Sequence, residues 1–287
     1  MSKQKILVAG ATGYLGGYIT QELTLSEHFD TKIIVRDRQK VKLNDPNVEI
    51  IEAEVTKAET LAHRCDGIDV VISSVGITRQ KDGLTYMDVD YQANVNLINE
   101  AKASGVKKFI YISVLNGDKM RKLKICEAKE KLVDYLKVSG LEYCIIRPNG
   151  FFSDMGDFLK MAQKGTIYLF GDGKLCLNPI HGEDLAKVCI DAISSDQKEI
   201  NVGGPDLLSQ NAIAELAFNA YSKPVKVIHL PDWIRLLTLW LLRIFVNSKT
   251  YGPFEFFMTA MAMDMQSPQY GTHKLETFFQ EQAKKQG

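Results

Sequence analysis

The chain has 287 residues, and its 35 Lys plus Arg are balanced by 35 Asp plus Glu. That balance leaves no global field to draw it toward nucleic acid or anionic lipid, so nucleic acid is set aside as a partner. Five cysteines (Cys65, Cys126, Cys144, Cys176, Cys189) form no CxxC and no metal-ligand spacing, which predicts reduced thiols, no metal centre and a cytoplasmic location.

The run MSKQK leads straight into a strand-like segment, which argues against a leader peptide. Residues 5–10 (KILVAG) are an apolar run ending in glycine, and the following YLGGYITQEL reads as a helix. Further β-rich runs stand at 32–36, 48–55, 69–76, 107–114 and 142–148. Helix-like segments at 57–64, 86–104 and 121–138 separate them. Runs this apolar suit strands covered on both faces, and strand–helix alternation predicts a doubly wound, Rossmann-like α/β fold with a parallel sheet. After Pro148 the rhythm changes to a glycine-containing stretch, a helix at 182–194, a short strand at 199–204, a helix at 209–221, a strand at 225–231 and three helix-like segments. The expected division is a dinucleotide-binding domain at 1–150 and a smaller, mostly helical substrate region at 151–287. The segment around 180–205 is expected to return to the first domain.

The stretch VAGATGYLGGYI (8–19) spaces Gly10, Gly13 and Gly16 three apart between the first strand and first helix. Glycine there lets the backbone turn tightly, approach a pyrophosphate and pack helix on strand, and the helix N-terminus offers unpaired N–H groups to the anion. At the end of the second strand stands IIVRDRQK, with Arg36, Arg38 and Lys40 around Asp37. An acidic residue there suits the ribose of NAD and an arginine the 2′-phosphate of NADP. NADP is the expected cofactor, with Arg36 as its main contact. A solvated charge run is the alternative, and Asp37 keeps NAD in play.

GATGYLGGYI, VRDRQK, DVVISSVG, YQANVNLINEAKASGVKKFIYIS and SGLEYCIIRPNGFF together resemble the atypical short-chain dehydrogenase/reductase superfamily, in its NmrA-like and isoflavone-reductase-like group. ICEAKEKLVDYLKVSGLEYCIIRPNGFF and FGDGKLCLNPIHGEDLA are most similar to the divinyl chlorophyllide 8-vinyl-reductase type. The resemblance spans about residues 3–220. It implies that Gly10, Thr12, Gly13 and Gly16, with Tyr14 and Leu15, line the pyrophosphate. Glu54 would stand near the adenine unless it is simply solvated. Ser74, Val75 and Gly76 would pass along the ribose, and Pro148, Asn149 and Phe151 would line the nicotinamide side. Ser113 matches the family's active-site serine position, a capping or core serine being the alternative.

The superfamily's catalytic Tyr-x-x-x-Lys is broken here: Lys129 matches the lysine, but Ile125 stands four residues before it. Isoleucine moves no proton. The isoflavone-reductase-like group retains the lysine alone, which implies that Lys129 anchors the ribose, donates a proton, or both. A solvated lysine is the rival reading. Tyr111, two residues before Ser113 and so on the same strand face, is a substitute acid or, more commonly, a core tyrosine. His181 either caps a helix or closes the pocket.

The last third carries WIRLLTLWLLRIF (233–245) and a Met/Phe-rich FEFFMTAMAMDM (254–265), neither long enough to span a bilayer. Core packing is the usual explanation of such stripes. A lid over an apolar ligand, or contact with a membrane surface through Arg235 and Arg243, is the sharper and less favoured one. The function expected is an NADP(H)-dependent reductase acting on a bulky apolar small molecule at a carbonyl or activated C=C, as a monomer or homodimer. A non-catalytic NAD(P)(H)-binding sensor or assembly protein is the alternative.

Overall fold

The apolar runs become parallel strands because both of their faces are covered. A computed structural model describes residues 3–41, 45–77 and 83–286. In it β1 (Gln4–Ala9) leads into helix α1 (Tyr14–Thr24), which buries Leu15, Ile19 and Leu23 at helical spacing. There follow β2 (Phe29–Val35), β3 (Val48–Glu52), β4 (Val70–Ser73), α2 (Ala93–Ala103), β5 (Lys108–Ile112), α3 (Lys124–Lys137) and β6 (Glu142–Pro148). Every residue of β4 and β5 is buried, whereas β3, at the sheet's edge, is only partly covered.

After α4 (Gly156–Gln163), β7 (Ile167–Phe170), β8 (Cys176–Leu177) and α5 (Gly182–Ser194), the strand β9 (Glu199–Val202) completes a seven-stranded sheet ordered β3-β2-β1-β4-β5-β6-β9. Pairs among β1 to β6 are parallel. Sequence-adjacent strands part company between β1 and β4, the switch point where open α/β sheets hold ligands.

The chain divides into two compact units, Met1–Arg147 with Leu185–Ile200, and Pro148–Asp184 with Asn201–Gly287. In the second, β8 pairs with β10 (Leu208–Ser209), and α6 (Gln210–Ala220) begins at Ser209, whose hydroxyl caps it by accepting from Ala212 N. β7 pairs in parallel with β11 (Val227–Leu230). Beyond these lie α7 (Asp232–Phe245), α8 (Ser248–Ala260) and α9 (Leu275–Gln286). Helices α4, α6 and α9 pack on one another around buried Phe158, Phe218 and Phe279.

Three local expectations change. Residues 57–64 form only a 3-10 turn at Ala58–Leu61, and the helix expected from 86 opens with a π turn at Met87–Gln92. The third concerns α7. Its apolar stripe is not core: Leu239 alone is buried, while Trp233, Leu236, Leu237, Trp240, Leu241, Ile244 and Phe245 are exposed. Its arginines are engaged within the chain, Arg235 with Asp232 (Nε–Oδ1 2.6 Å) and Arg243 with Glu255 (Nε–Oε1 2.7 Å). No helix among the described residues is long and apolar enough to cross a membrane.

Candidate dinucleotide and active site

Parallel register aligns the strand ends, and the expected site residues are the first ones past them. Ala9 pairs with Ile34 and Ser73, Val35 with Glu52, Ser73 with Tyr111 and Ile112 with Ile146. Gly10, Arg36, Ser74 and Ser113 each follow directly on one of these strands at the same edge of the sheet.

At Gly10 (φ +89) a Cβ would stand 2.7 Å from Ser74 Oγ, and at Gly16 it would reach 2.1 Å from the Gly10 carbonyl oxygen. Helix, turn and neighbouring strand loop are thus in close contact, with no room for a side chain on either glycine. Gly13 precedes α1 with no side-chain cap, so the helix presents its first N–H groups at the switch point with Thr12 and Tyr14 exposed beside them. Leu15 instead turns into the core. This cradle fits a dinucleotide's pyrophosphate.

The charge run after β2 resolves into distinct jobs. Asp37 accepts from Gln39 N (2.9 Å) to start a 3-10 turn, and Arg38 Nη2 donates to Ile50 O (2.8 Å). Arg36 is exposed and makes no hydrogen bond or ion pair with a described residue. Glu54 is committed locally: it accepts from Thr56 Oγ1 (3.0 Å) and pairs with Lys57 (2.7 Å), contacts that hold its carboxyl below the usual range.

Lys129 is not a solvated lysine. Its Nζ lies 2.9 Å from Asp90 Oδ1 and 3.5 Å from the Tyr111 hydroxyl, and neither partner residue is exposed at all. Asp90 Oδ2 accepts from Ile77 N (3.2 Å), while Oδ1 has no aligned hydrogen bond among the described residues. Gly76 makes room for the pair, since a Cβ there would stand 2.6 Å from Asp90 Oδ1 and 3.1 Å from Lys129 Nζ. The π turn carries Asp90 into place, and buried Asn94 fastens it by donating to the carbonyls of Val75, Val89 and Asp90. Burial pushes the Asp90 carboxyl up against the opposing pull of Lys129. Burial works against the Lys129 charge too, but Tyr111 and Asp90 outweigh it and its pKa rises. Burial pushes the Tyr111 phenol up to about 12. Lys129 is therefore a protonated, three-donor ammonium at neutral pH, held between the Asp90 carboxylate and the Tyr111 hydroxyl.

Ser113 joins a second buried network. Its Oγ donates to Glu130 Oε1 (3.2 Å), Glu130 takes Arg147 in a two-pronged pair (Nη2–Oε2 3.0 Å), and Arg147 Nε reaches Glu199 Oε2 (3.0 Å). The Ser113 hydroxyl is thus tied to the Glu130 carboxylate. Ile125 is buried and apolar, and no hydroxyl stands in its place on α3. Tyr111 is core, yet it brings a phenol to Lys129 from β5 instead.

Pro148, Asn149 and Phe151 belong to the second unit. The Asn149 amide is used up there: Nδ2 donates to Asn178 Oδ1 (2.8 Å) and to the Met265 carbonyl, and Oδ1 accepts from Gly150 N (2.8 Å). Its side-chain amide is thus engaged within the second unit. Phe151 bridges to Ile180, and His181 Nδ1 accepts from Glu183 N (3.3 Å), capping α5. Asp90 was missed. Its signal was present, since it falls on one helical face with Ala93, Asn94 and Leu97, where a carboxylate needs a buried cation.

The profile of the NAD(P)H-binding family matches residues 10–196. A chloroplastic divinyl chlorophyllide a 8-vinyl-reductase of Zea mays is 26% identical across 97% of this chain and 79% of its own length. Photosystem II assembly factor Ycf39 of Guillardia theta is 29% identical over 66% of this chain and 60% of its own. Among solved structures, an NADPH-dependent quinone oxidoreductase of Escherichia coli, complexed with NADPH, superposes with a TM-score of 0.75 at 17% identity, covering 98% of this chain and 99% of that one. A nucleoside-diphosphate-sugar epimerase of Staphylococcus aureus gives 0.76 at 21% identity, covering 96% and 100%. The chain belongs to the NAD(P)H-binding family as an atypical short-chain dehydrogenase/reductase, and its cofactor is a nicotinamide dinucleotide.

Proposed function

We propose that the protein is an NADPH-dependent reductase of a bulky, apolar small molecule, with Lys129 as the group that holds and delivers the proton. The carrying observation is the buried Asp90–Lys129–Tyr111 cluster, which keeps an ammonium charged where the family's tyrosine is missing. When bound, the nicotinamide supplies hydride. Gly10, Gly13 and Gly16 would seat the pyrophosphate against the start of α1, and Arg36 would pair with the 2′-phosphate. The Lys129 donor not facing Asp90 or Tyr111 would serve a ribose hydroxyl or the substrate's developing negative oxygen or carbon. Asp90 then stabilises the ammonium before transfer and helps it recover its proton. Reductase relatives such as the Zea mays enzyme support the reaction class. NADPH oxidation against a panel of enones, quinones and tetrapyrroles tests the reading. Lys129→Met is expected to lower turnover about 100-fold, with circular dichroism used to check that the variant is folded, since Asp90 loses its buried partner. Undiminished turnover in that variant would sink the proton-delivery role.

A second reading, a dinucleotide-responsive assembly protein without turnover, draws on the exposed stripe of α7 and on the assembly-factor relative. It predicts NADPH binding without oxidation of the cofactor by any member of the panel.

A further inference from the structure

Helix α7 lies on its unit with the apolar side turned away from it. Leu239 is buried, and Arg235, Thr238 and Leu242, which share that side of the helix, are partly covered. The opposite side carries Trp233, Leu236, Leu237, Trp240, Leu241 and Ile244, all exposed. An amphipathic surface helix ordinarily keeps such a stripe against its own core. Within the stripe, Trp233, Leu237, Trp240 and Ile244 are spaced four, three and four apart. That is the spacing of a coiled-coil seam, whose side chains insert between those of a facing helix.

Size, symmetry and charge each point to a second copy of this chain as the facing partner. Together with Phe245 the stripe leaves roughly 800 Å² open, more than the largest apolar patch of a typical monomer and about what each partner gives a stable interface of standard size. The seam also reads the same in both directions. Reversal about the point between Thr238 and Leu239 carries Trp233 onto Ile244 and Leu237 onto Trp240, with Leu236 and Leu241 flanking at matching heights. A two-fold interface needs this self-complementarity, because where residue i meets j, j also meets i. Antiparallel helices about such an axis would set Leu237 of each copy against Trp240 of the other. Charge fits the same partner. Arg235 and Arg243 are already paired with Asp232 (2.6 Å) and Glu255 (2.7 Å) of their own unit, so the stripe is neutral. Two such faces meet without burying an unpaired charge, whereas anionic headgroups would gain little from cations already committed.

We propose that α7 is a dimerisation helix, its outer face covered by α7 of a second copy in antiparallel orientation. The face lies wholly within the second unit, so the inference stands apart from the cofactor reading. It accounts for the exposed stripe without an assembly partner.

The test is light scattering and sedimentation equilibrium of the tag-free full chain in detergent-free buffer. The wild-type chain is expected to show twice the mass of one chain. Leu237→Glu and Trp240→Lys should each weaken dimerisation at least about 100-fold and yield monomers. Both side chains are exposed, so circular dichroism should show wild-type helix content; Trp233→Glu replaces either variant if it does not fold. Val138→Glu, at an exposed apolar position just past α3, should leave the mass unchanged. Mixing Leu237→Glu with Trp240→Lys copies should restore dimers that neither forms alone. An antiparallel pair then sets carboxylate against ammonium once and keeps the other Leu–Trp contact native. A monomeric wild-type chain, or a dimer unmoved by both seam variants, would overturn the proposal. Wild-type monomers that float with neutral vesicles would overturn it in favour of a bilayer, and failure of the mixture to dimerise would overturn the antiparallel order.

Discussion

In the first unit charges are inside, and in the second apolar side chains are outside. Asp90, Lys129, Glu130 and Arg147 are covered by protein, while seven large apolar residues of α7 meet solvent. Either arrangement opposes the ordinary sorting of residues, and each is costly unless something compensates. Inside, compensation comes from pairing: every buried charge has an opposite charge within contact distance. Outside, nothing among the described residues covers those seven side chains of α7. The first unit hides its charges in pairs, and the second leaves an apolar helix face open.

The largest effect that could break this contrast concerns Arg147. Glu130→Ala strands the guanidinium with only half-exposed Glu199, and unfolding free energy should fall by about 3–5 kcal/mol. A loss under about 1 kcal/mol in urea unfolding would mean the network is decorative. Next comes alkaline stability. The native Tyr111 phenol keeps its proton to about pH 12, while an unfolded one releases it near pH 10. The stability it contributes is therefore whole below pH 10 and drains away as pH climbs from 10 to 12, by about 2–3 kcal/mol. Buried Cys65 and Cys126, pushed up to about 12 from 9.0, act in the same direction. Comparing wild type with Tyr111→Phe at pH 8 and pH 11 isolates the phenol's part, and equal pH slopes would show that it has none.

A similar magnitude is expected in binding. Arg36→Ala should cost NADPH about 1.5–3 kcal/mol and leave NADH unchanged, read by titration of both coenzymes. Equal losses for the two would return Arg36 to a plain surface charge. The smallest effect is on α7. Trp233→Ser with Trp240→Ser should move stability by less than about 0.5 kcal/mol, because both rings are exposed. The same pair should abolish flotation with neutral and anionic vesicles if a bilayer surface is the missing cover. Flotation that persists in the variant, or is absent in wild type, sharpens the contrast toward a protein partner.

The fold was legible because a parallel sheet writes itself as buried apolar runs between helical periods, and Gly10, Gly13 and Gly16 mark its switch point. The cation partners were less so. The resemblance to the family's motif marked Lys129 but not Asp90, because the two meet across the gap from α3 to the π turn, and pairing between distant elements leaves no local pattern. Arg36 and Arg38 look alike in sequence; the backbone carbonyl of Ile50 separates them in space. For α7, period told which residues share a face and said nothing of whether that face is covered. The partners of the Asn149 amide, the Asn178 side chain and the Met265 backbone, lie far off in sequence and leave no local pattern either.

The unblunted amino end of α1 has a thermodynamic corollary. A seated coenzyme would offer those N–H groups its phosphate oxygens, and an unfolded chain has no such cradle to offer. Saturation a hundredfold above the dissociation constant would deepen the native well by about 2.7 kcal/mol. Resistance to heat and proteolysis would then rise and fall with the nicotinamide pool, so the chain's lifetime itself becomes a gauge of coenzyme supply.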